Sequence, residues 1–223
     1  MVTQWINRLL SWLKWPTAVW LALCLPQLIV ADLTLVQRGP AAHATPFWLG
    51  VTGYLILWHL VLRRRLWGSF LPTLSHELTH ALFALLTLHR VTNLRATWRS
   101  GGEVQYVGGR GNWLITIAPY FFPLWLALLA VALHWLTPNP PLRQLLIGGI
   151  VGFEAVTMWR QVHREQTDLQ RVGFVFAAVW LPGALLLTYG AALTLALQDD
   201  AAALRFVTTH IQAPWELISA LVR

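Results

Sequence analysis

The chain has 223 residues, of which 57% are hydrophobic and 11% are charged, and its formal net charge is +7. This composition excludes an ordinary soluble domain and indicates a membrane protein with several apolar spans. The basic residues stand in short loops and at the chain ends, with no basic patch interleaved with aromatics, which argues against nucleic-acid binding.

The N-terminal third predicts a surface helix followed by two transmembrane spans. Residues 1–16 mix tryptophans and leucines with basic residues, as in an amphipathic helix on the membrane surface. Residues 17–68 then hold two apolar runs, at 17–36 and 47–62. The arginines at 63–65 directly follow the second run and predict that this loop faces the cytoplasm.

The next apolar run, residues 69–88, carries His76, Glu77 and His80 in an H-E-x-x-H motif. Residues four apart share one face of a helix, so both imidazoles can bind the same zinc ion. Glu77 stands beside them and can act as the general base that activates water. Interior histidines satisfied by hydrogen bonds are the alternative, but ionisable groups inside a membrane segment are costly and mark a functional site by default.

Residues 91–107 break the helical pattern and predict a β-hairpin. Alternating apolar residues flank a turn with two glycines, which accept positive φ without strain. The edge strand of such a hairpin can hold an extended substrate through main-chain hydrogen bonds. The residues expected to contact substrate are Gly101, Gly102, Val104 and Tyr106. The alternative is an ordinary extramembrane loop.

A catalytic zinc ion needs a third protein ligand and an open fourth position. Asp168, which precedes the last apolar run, is the first choice for that ligand, His163 the second and Glu154 the third. For Asp168 the alternative role is to stabilise a helix N-terminus, and for His163 it is a solvated loop position. The single cysteine, Cys24, lies in an apolar run and offers no cysteine metal site.

The apolar runs between the motif and the later aspartate raise a question of topology. If residues 69–88, 112–135 and 142–159 all crossed the membrane fully, His76 and Asp168 would lie at opposite faces. The segment 142–159 is short and rich in glycine. It is therefore predicted to re-enter rather than cross; alternatively, the hairpin region returns the chain.

These features resemble the site-2-protease family of intramembrane zinc metalloproteases, particularly its small bacterial members. The resemblance rests on the H-E-x-x-H helix, the glycine-turned hairpin and the distal aspartate, and it covers residues 69–197. It implies that His76, His80 and Asp168 bind one zinc ion and that Glu77 is catalytic. It also implies a membrane-embedded or membrane-adjacent protein substrate and a multi-pass location in the bacterial inner membrane.

The sequence therefore predicts an all-α polytopic bundle of five or six spans with a short β-hairpin. Residues 69–197 would form the metalloprotease core, ending in a span at 172–197, and 198–223 an amphipathic C-terminal tail. No inserted PDZ or CBS domain fits this length, so substrate choice is expected to come from the membrane core or a regulatory membrane partner. The alternative function is a non-catalytic membrane scaffold or binding protein with a structural or degenerate zinc site.

Overall fold

The computed structural model describes residues 2–38, 45–64, 67–98, 101–109, 111–136, 138–163 and 165–221. In these ranges the helices are α1 (Val2–Arg38), α2 (Thr45–Leu60), α3 (Trp67–Leu86), α4 (Trp113–Ile117), α5 (Leu124–Trp135), α6 (Pro140–Gln161), α7 (Thr167–Val172), α8 (Phe174–Leu197) and α9 (Asp200–Leu221). Strands β1 (Arg90–Ala96) and β2 (Gly102–Val107) pair as an antiparallel hairpin. The predicted helical architecture and the hairpin are thus confirmed. Arg65 of the arginine triplet and the hairpin-turn residues Arg99 and Ser100 lie outside the described ranges.

Two helices, α1 and α8, are long and apolar enough to cross a membrane by length and composition. A third span results if the bent pair Trp113–Tyr120 and Leu124–Trp135 counts as one. Among the described residues, no other helix meets both criteria. The protein is thus a membrane protein, and the predicted number of five or six spans stays a prediction.

The helices α1 and α8 run side by side in the same direction. The Trp180 indole donates to the Thr17 hydroxyl at 3.3 Å, and one turn farther along each helix Gly183 lies against Leu21. A side chain at position 183 would meet the backbone of α1. Small residues at such seams let membrane helices approach closely.

The N-terminal segment is continuous with the first span. Residues 1–16 were predicted to form a separate surface helix, whereas α1 runs unbroken through Pro16 and Pro26. Proline is tolerated within membrane helices because neighbouring groups satisfy the backbone that it leaves unbonded. The segment predicted to lie on the membrane therefore projects along the axis of the span.

The helices α2 and α6 pack through their glycines. Gly148 of α6 lies on the Phe47 carbonyl group, and Gly50 of α2 lies on the Leu145 carbonyl group, so a Cβ at either position would clash with backbone. The glycines of segment 142–159 thus serve a close helix contact. They do not mark a re-entrant loop.

The hairpin folds back along α3. Gly102, at the start of β2, lies beside the Glu77 side chain, and Gly108, just after β2, reaches His89, just past the end of α3. The chain therefore leaves the hairpin at the same end of α3 at which it entered. The hairpin therefore makes no net crossing, and the alternative that it returns the chain across the membrane stays a prediction; α4 and the turn after it run back beside α3, since Ile115 contacts His80 and Tyr120 contacts His76.

The helices α5 and α6 form an antiparallel pair. Near one end the Trp125 N–H donates to Glu154 Oε1 at 2.9 Å, and near the other Leu133 and Ile147 share an apolar cluster. Because α6 is one continuous helix, the prediction that 142–159 re-enters is wrong. The pair leads the chain away from α3 and back again.

The predicted span at 112–135 is bent by 79° between Trp113–Tyr120 and Leu124–Trp135. Pro119 lies in the 3₁₀ turn that follows α4, and Pro123 directly precedes α5. Neither proline has an N–H to continue the helical hydrogen bonds, so the helix breaks between them. The break turns α5 away from α3.

We expect Gly148→Ala to destabilise the detergent-solubilised protein by about 1–3 kcal/mol, because the added methyl group would push α2 away from α6. Gly53→Ala in α2 is the matched control, since a Cβ there has nothing within 4 Å and alanine favours a helix over glycine. Thermal unfolding followed by circular dichroism compares the two variants. Equal Tm values would contradict the close contact.

Candidate active site

Three metal-ligating side chains converge where α3 meets α7. His76 Nε2 and His80 Nε2 lie 3.2 and 3.3 Å from Asp168 Oδ2, and 3.1 Å from each other. The two histidines stand one turn apart on α3, on the same face. Within the described part of the chain, these are the three His, Cys, Asp or Glu residues whose ligand atoms could hold a metal ion together.

This donor set fits a divalent cation such as zinc. Imidazole nitrogen and carboxylate oxygen bind zinc at about 2.0–2.2 Å, and tetrahedral coordination at that distance separates the ligand atoms by about 3.3 Å. The His80 Nδ1–H donates to the Ile115 carbonyl oxygen at 2.8 Å. That bond leaves the lone pair of His80 Nε2 facing the carboxylate and the second ring. Lone pairs and a negative charge that face one another repel, and a cation bound between these groups would remove that repulsion by accepting all of them as ligands.

The carboxyl of Asp168 is held in its charged form. Burial alone would raise its pKa, but with the His76 and His80 rings protonated in the absence of a metal, their hydrogen bonds and charge outweigh burial and hold the pKa well below its usual range. The buried Tyr120 hydroxyl lies 3.5 Å from the same carboxylate oxygen. The Tyr120 ring also stands edge-on to His76, with the ring centroids 5.5 Å apart. Such outer contacts orient the groups that bind a metal.

Glu77 faces the hairpin from the next position on α3. Its side chain is buried and lies against Gly102 at the start of β2. A Cβ at residue 102 would overlap the outer atoms of the Glu77 side chain, so a larger residue there would require the Glu77 carboxylate to move. The carboxylate is thereby confined between helix and strand.

The sequence of the chain matches a family model described as Peptidase M50B-like over residues 48–220. The protein belongs to the Peptidase M50B-like family. This is a site-2-protease family, so the resemblance inferred from the motif is confirmed. Among curated proteins and solved structures, none matches the chain.

The site of this M50B-like peptidase opens into a cavity of about 560 Å³. Polar side chains dominate its wall. The cavity is lined by every residue that the sequence predicted for the site, namely His76, Glu77, His80, Asp168, Gly101, Gly102, Val104 and Tyr106. The hairpin and the motif helix therefore face one shared space.

The two alternative metal ligands lie elsewhere. His163 is exposed, and its Nε2 accepts a hydrogen bond from the Gln166 side-chain amide at 3.0 Å. Glu154 is buried and accepts from the Trp125 N–H at the start of α5. Neither side chain joins the group formed by the two motif histidines.

Three further contributors were not predicted from the sequence. Arg171 lines the cavity one turn after Asp168 on α7, and the i, i+3 spacing on a helix could have identified it. Ile115 contributes a main-chain oxygen, which no side-chain pattern marks. Tyr120 lies in the 3₁₀ turn that follows α4; the prolines around it predicted a bend, but its contact with Asp168 was not predicted.

We expect Gly102→Ala to reduce peptidase activity by about tenfold to a hundredfold, because its Cβ would displace the Glu77 carboxylate while leaving the three ligand groups in place. Gln105→Ala, an exposed position on the same strand, is the control and should be as active as wild type. Cleavage rates on a membrane substrate and metal content by mass spectrometry check both variants. Full activity of Gly102→Ala would refute the proposed contact.

Proposed function

We propose that the protein is an intramembrane zinc metalloendopeptidase. The observation that carries this proposal is the convergence of His76, His80 and Asp168 on one point, with Glu77 on the wall of the same cavity. A bound zinc ion would supply Lewis acidity that lowers the pKa of water toward about 7. Membership of a peptidase family supports this chemistry.

Glu77 is the proton carrier of the proposed reaction. Its carboxylate takes a proton from the attacking water and later delivers a proton to the leaving amide nitrogen. Only 7% of the residue is exposed, so bulk water has little access to it. Confinement between α3 and Gly102 orients the carboxylate toward the cavity.

The proposed substrate is a protein segment within or beside the bilayer. Lys14 of α1 contacts Val172, the last residue of α7, so α8 and the part of α1 after Lys14 extend away from the level of the site. A site at the start of these two apolar stretches suits a peptide bond near the membrane surface. Multi-pass insertion in a bacterial inner membrane and a regulatory membrane partner belong to the same proposal.

The hairpin offers a way to hold that segment. Val104 and Tyr106 of β2 line the cavity together with Glu77. An extended segment added along β2 would form main-chain hydrogen bonds and carry one peptide bond past the carboxylate. Substrate binding through the backbone would place few demands on substrate sequence.

An open coordination position distinguishes this proposal from the scaffold alternative. A structural zinc site is closed by four protein ligands, whereas a catalytic site keeps one position for water or substrate. The described residues bring three ligand groups together, and the cavity lies beside them. This arrangement favours catalysis over a structural metal site.

We expect Glu77→Gln to lower cleavage by about 10²–10⁴-fold, the contribution of a positioned general base. Zinc content and Tm should stay at wild-type values, because glutamine keeps the shape of the side chain. Cleavage of a co-expressed membrane protein that the wild type cuts, followed by immunoblotting, provides the measurement. Wild-type cleavage by this variant would reject the proposed mechanism.

Asp168→Ala should lower zinc affinity far more than His163→Ala, because only the aspartate faces the two histidines. Removal of a residue that only contacts a ligand typically reduces metal affinity about 10–100-fold. Loss of the ligand itself should reduce it further. Competition with a chromophoric chelator measures this directly. A larger loss of zinc affinity in His163→Ala than in Asp168→Ala would identify His163 as the third ligand instead.

A further inference from the structure

One face of the N-terminal part of α1 contacts three of the elements beside the site, namely the segment after α3, the start of α4 and the end of α7. Thr3, Asn7, Leu10 and Lys14 follow one another at helical spacing and share that face. At the first position, the Thr3 hydroxyl lies 3.4 Å from the Leu88 carbonyl oxygen. These residues precede position 48, where the family match begins.

Asn7 joins the hairpin to α4. Its Nδ2 group donates to the buried ring of His89 at 3.3 Å, and its Oδ1 accepts from the Asn112 side chain at 3.0 Å. Asn112 in turn caps α4, since its Oδ1 accepts from the Ile115 N–H at 3.1 Å. A single side chain of α1 thus supports the start of the hairpin and the start of α4.

Leu10 reaches the same short helix through its backbone. Its carbonyl oxygen accepts from the Trp113 indole N–H at 2.6 Å. The helix α4 carries the Ile115 carbonyl oxygen that orients His80. The orientation of one metal-ligating ring therefore depends on a contact with α1.

Lys14 holds the element that carries Asp168. Its ammonium group donates to the Val172 carbonyl oxygen at 2.8 Å, at the C-terminal end of α7, and lies 4.7 Å from the centre of the Phe176 ring. A cation at this end of a helix satisfies an otherwise unbonded carbonyl and favours the helix dipole. Because α7 has only six residues, an anchor at its end also fixes the position of Asp168.

We propose that this face of α1 is a clamp that assembles the zinc site, and that Lys14 is a positioning residue for Asp168. The proposal rests on zinc binding in the proposed function. It assigns a role to a segment that the sequence pattern identified as a membrane-surface helix. Zinc affinity rather than cleavage is the property that the clamp should control.

The test uses the purified full-length protein in detergent and measures zinc affinity by chelator competition. Lys14→Met keeps the aliphatic stem but removes the donor, and we expect affinity to fall about tenfold, the lower range for loss of an outer-shell partner. Lys14→Arg keeps a donor and should restore affinity to within about twofold of wild type. Arg8→Gln is the control, since Arg8 lies over the Trp5 ring on another face of α1 and should leave affinity unchanged.

The Tm of the metal-free protein separates positioning from general stability. A clamp predicts that Lys14→Met keeps the Tm of Arg8→Gln while losing zinc affinity. If Lys14→Met does not fold, Trp113→Phe decides, since it removes the N–H donor to Leu10 and should also weaken zinc binding. Wild-type zinc affinity in the folded variants would overturn the clamp, whereas a wild-type protein that binds no zinc would overturn the proposed function itself.

Discussion

One carboxylate oxygen must reach two imidazole nitrogens that lie 92 and 88 residues earlier in the chain. The path of the backbone satisfies this constraint in two steps. The hairpin leads along α3 and returns to the same end, and the antiparallel pair α5 and α6 leads away and back. The polar segment after α6 then delivers Asp168 on the short helix α7, beside the face of α3 that carries the histidines. Between these two reversals, α4 and the 3₁₀ turn after it run back beside α3, since Ile115 contacts His80 and Tyr120 contacts His76.

The elements that complete the site are too short to be stable alone. The helices α4 and α7 have five and six residues, whereas isolated helices shorter than about 12–15 residues are marginal in water. Their positions must therefore come from tertiary contacts. These contacts include the bond from the Trp113 indole to Leu10 and the Lys14 bond to the end of α7. Preorganisation of the site thus resides in its surroundings, and the ligands alone would not supply it.

The local parts of the site could be predicted from the sequence, and the route between them could not. The i, i+4 spacing of His76 and His80 places both rings on one face wherever the helix lies. The chain changes direction between α3 and the hairpin at Leu88, which adopts a left-handed conformation with φ of 58°. The His89 N–H then bonds back to the Ala84 carbonyl oxygen at 2.7 Å, as in a Schellman motif. Glycine is the usual residue at such a helix end, but here the position is occupied by Leu88.

Glycine-rich segments were also ambiguous for a physical reason. The sequence shows where a side chain is missing but not what occupies the space. Gly102 was assigned to a turn and to substrate contact, yet the absence of its Cβ also admits the Glu77 side chain. Gly148 suggested a re-entrant loop, yet it admits the backbone of α2. The sequence does not show these partners, because Glu77 lies 25 residues from Gly102 and Phe47 lies 101 residues from Gly148.

The pattern of the N-terminal helix was ambiguous for a similar reason. An amphipathic pattern reports that one face is polar, and it does not distinguish a face that meets water from one that meets protein carbonyls and amides. In residues 2–14 the exposed side chains include the apolar Trp5, Leu9 and Trp12 as well as the polar Gln4, Arg8 and Ser11. The polar side chains of Asn7 and Lys14 instead bond to other parts of the chain. The exposed surface of α1 therefore carries both apolar and polar side chains, while Asn7 and Lys14 on its other face bond to elements that position the metal-ligating groups.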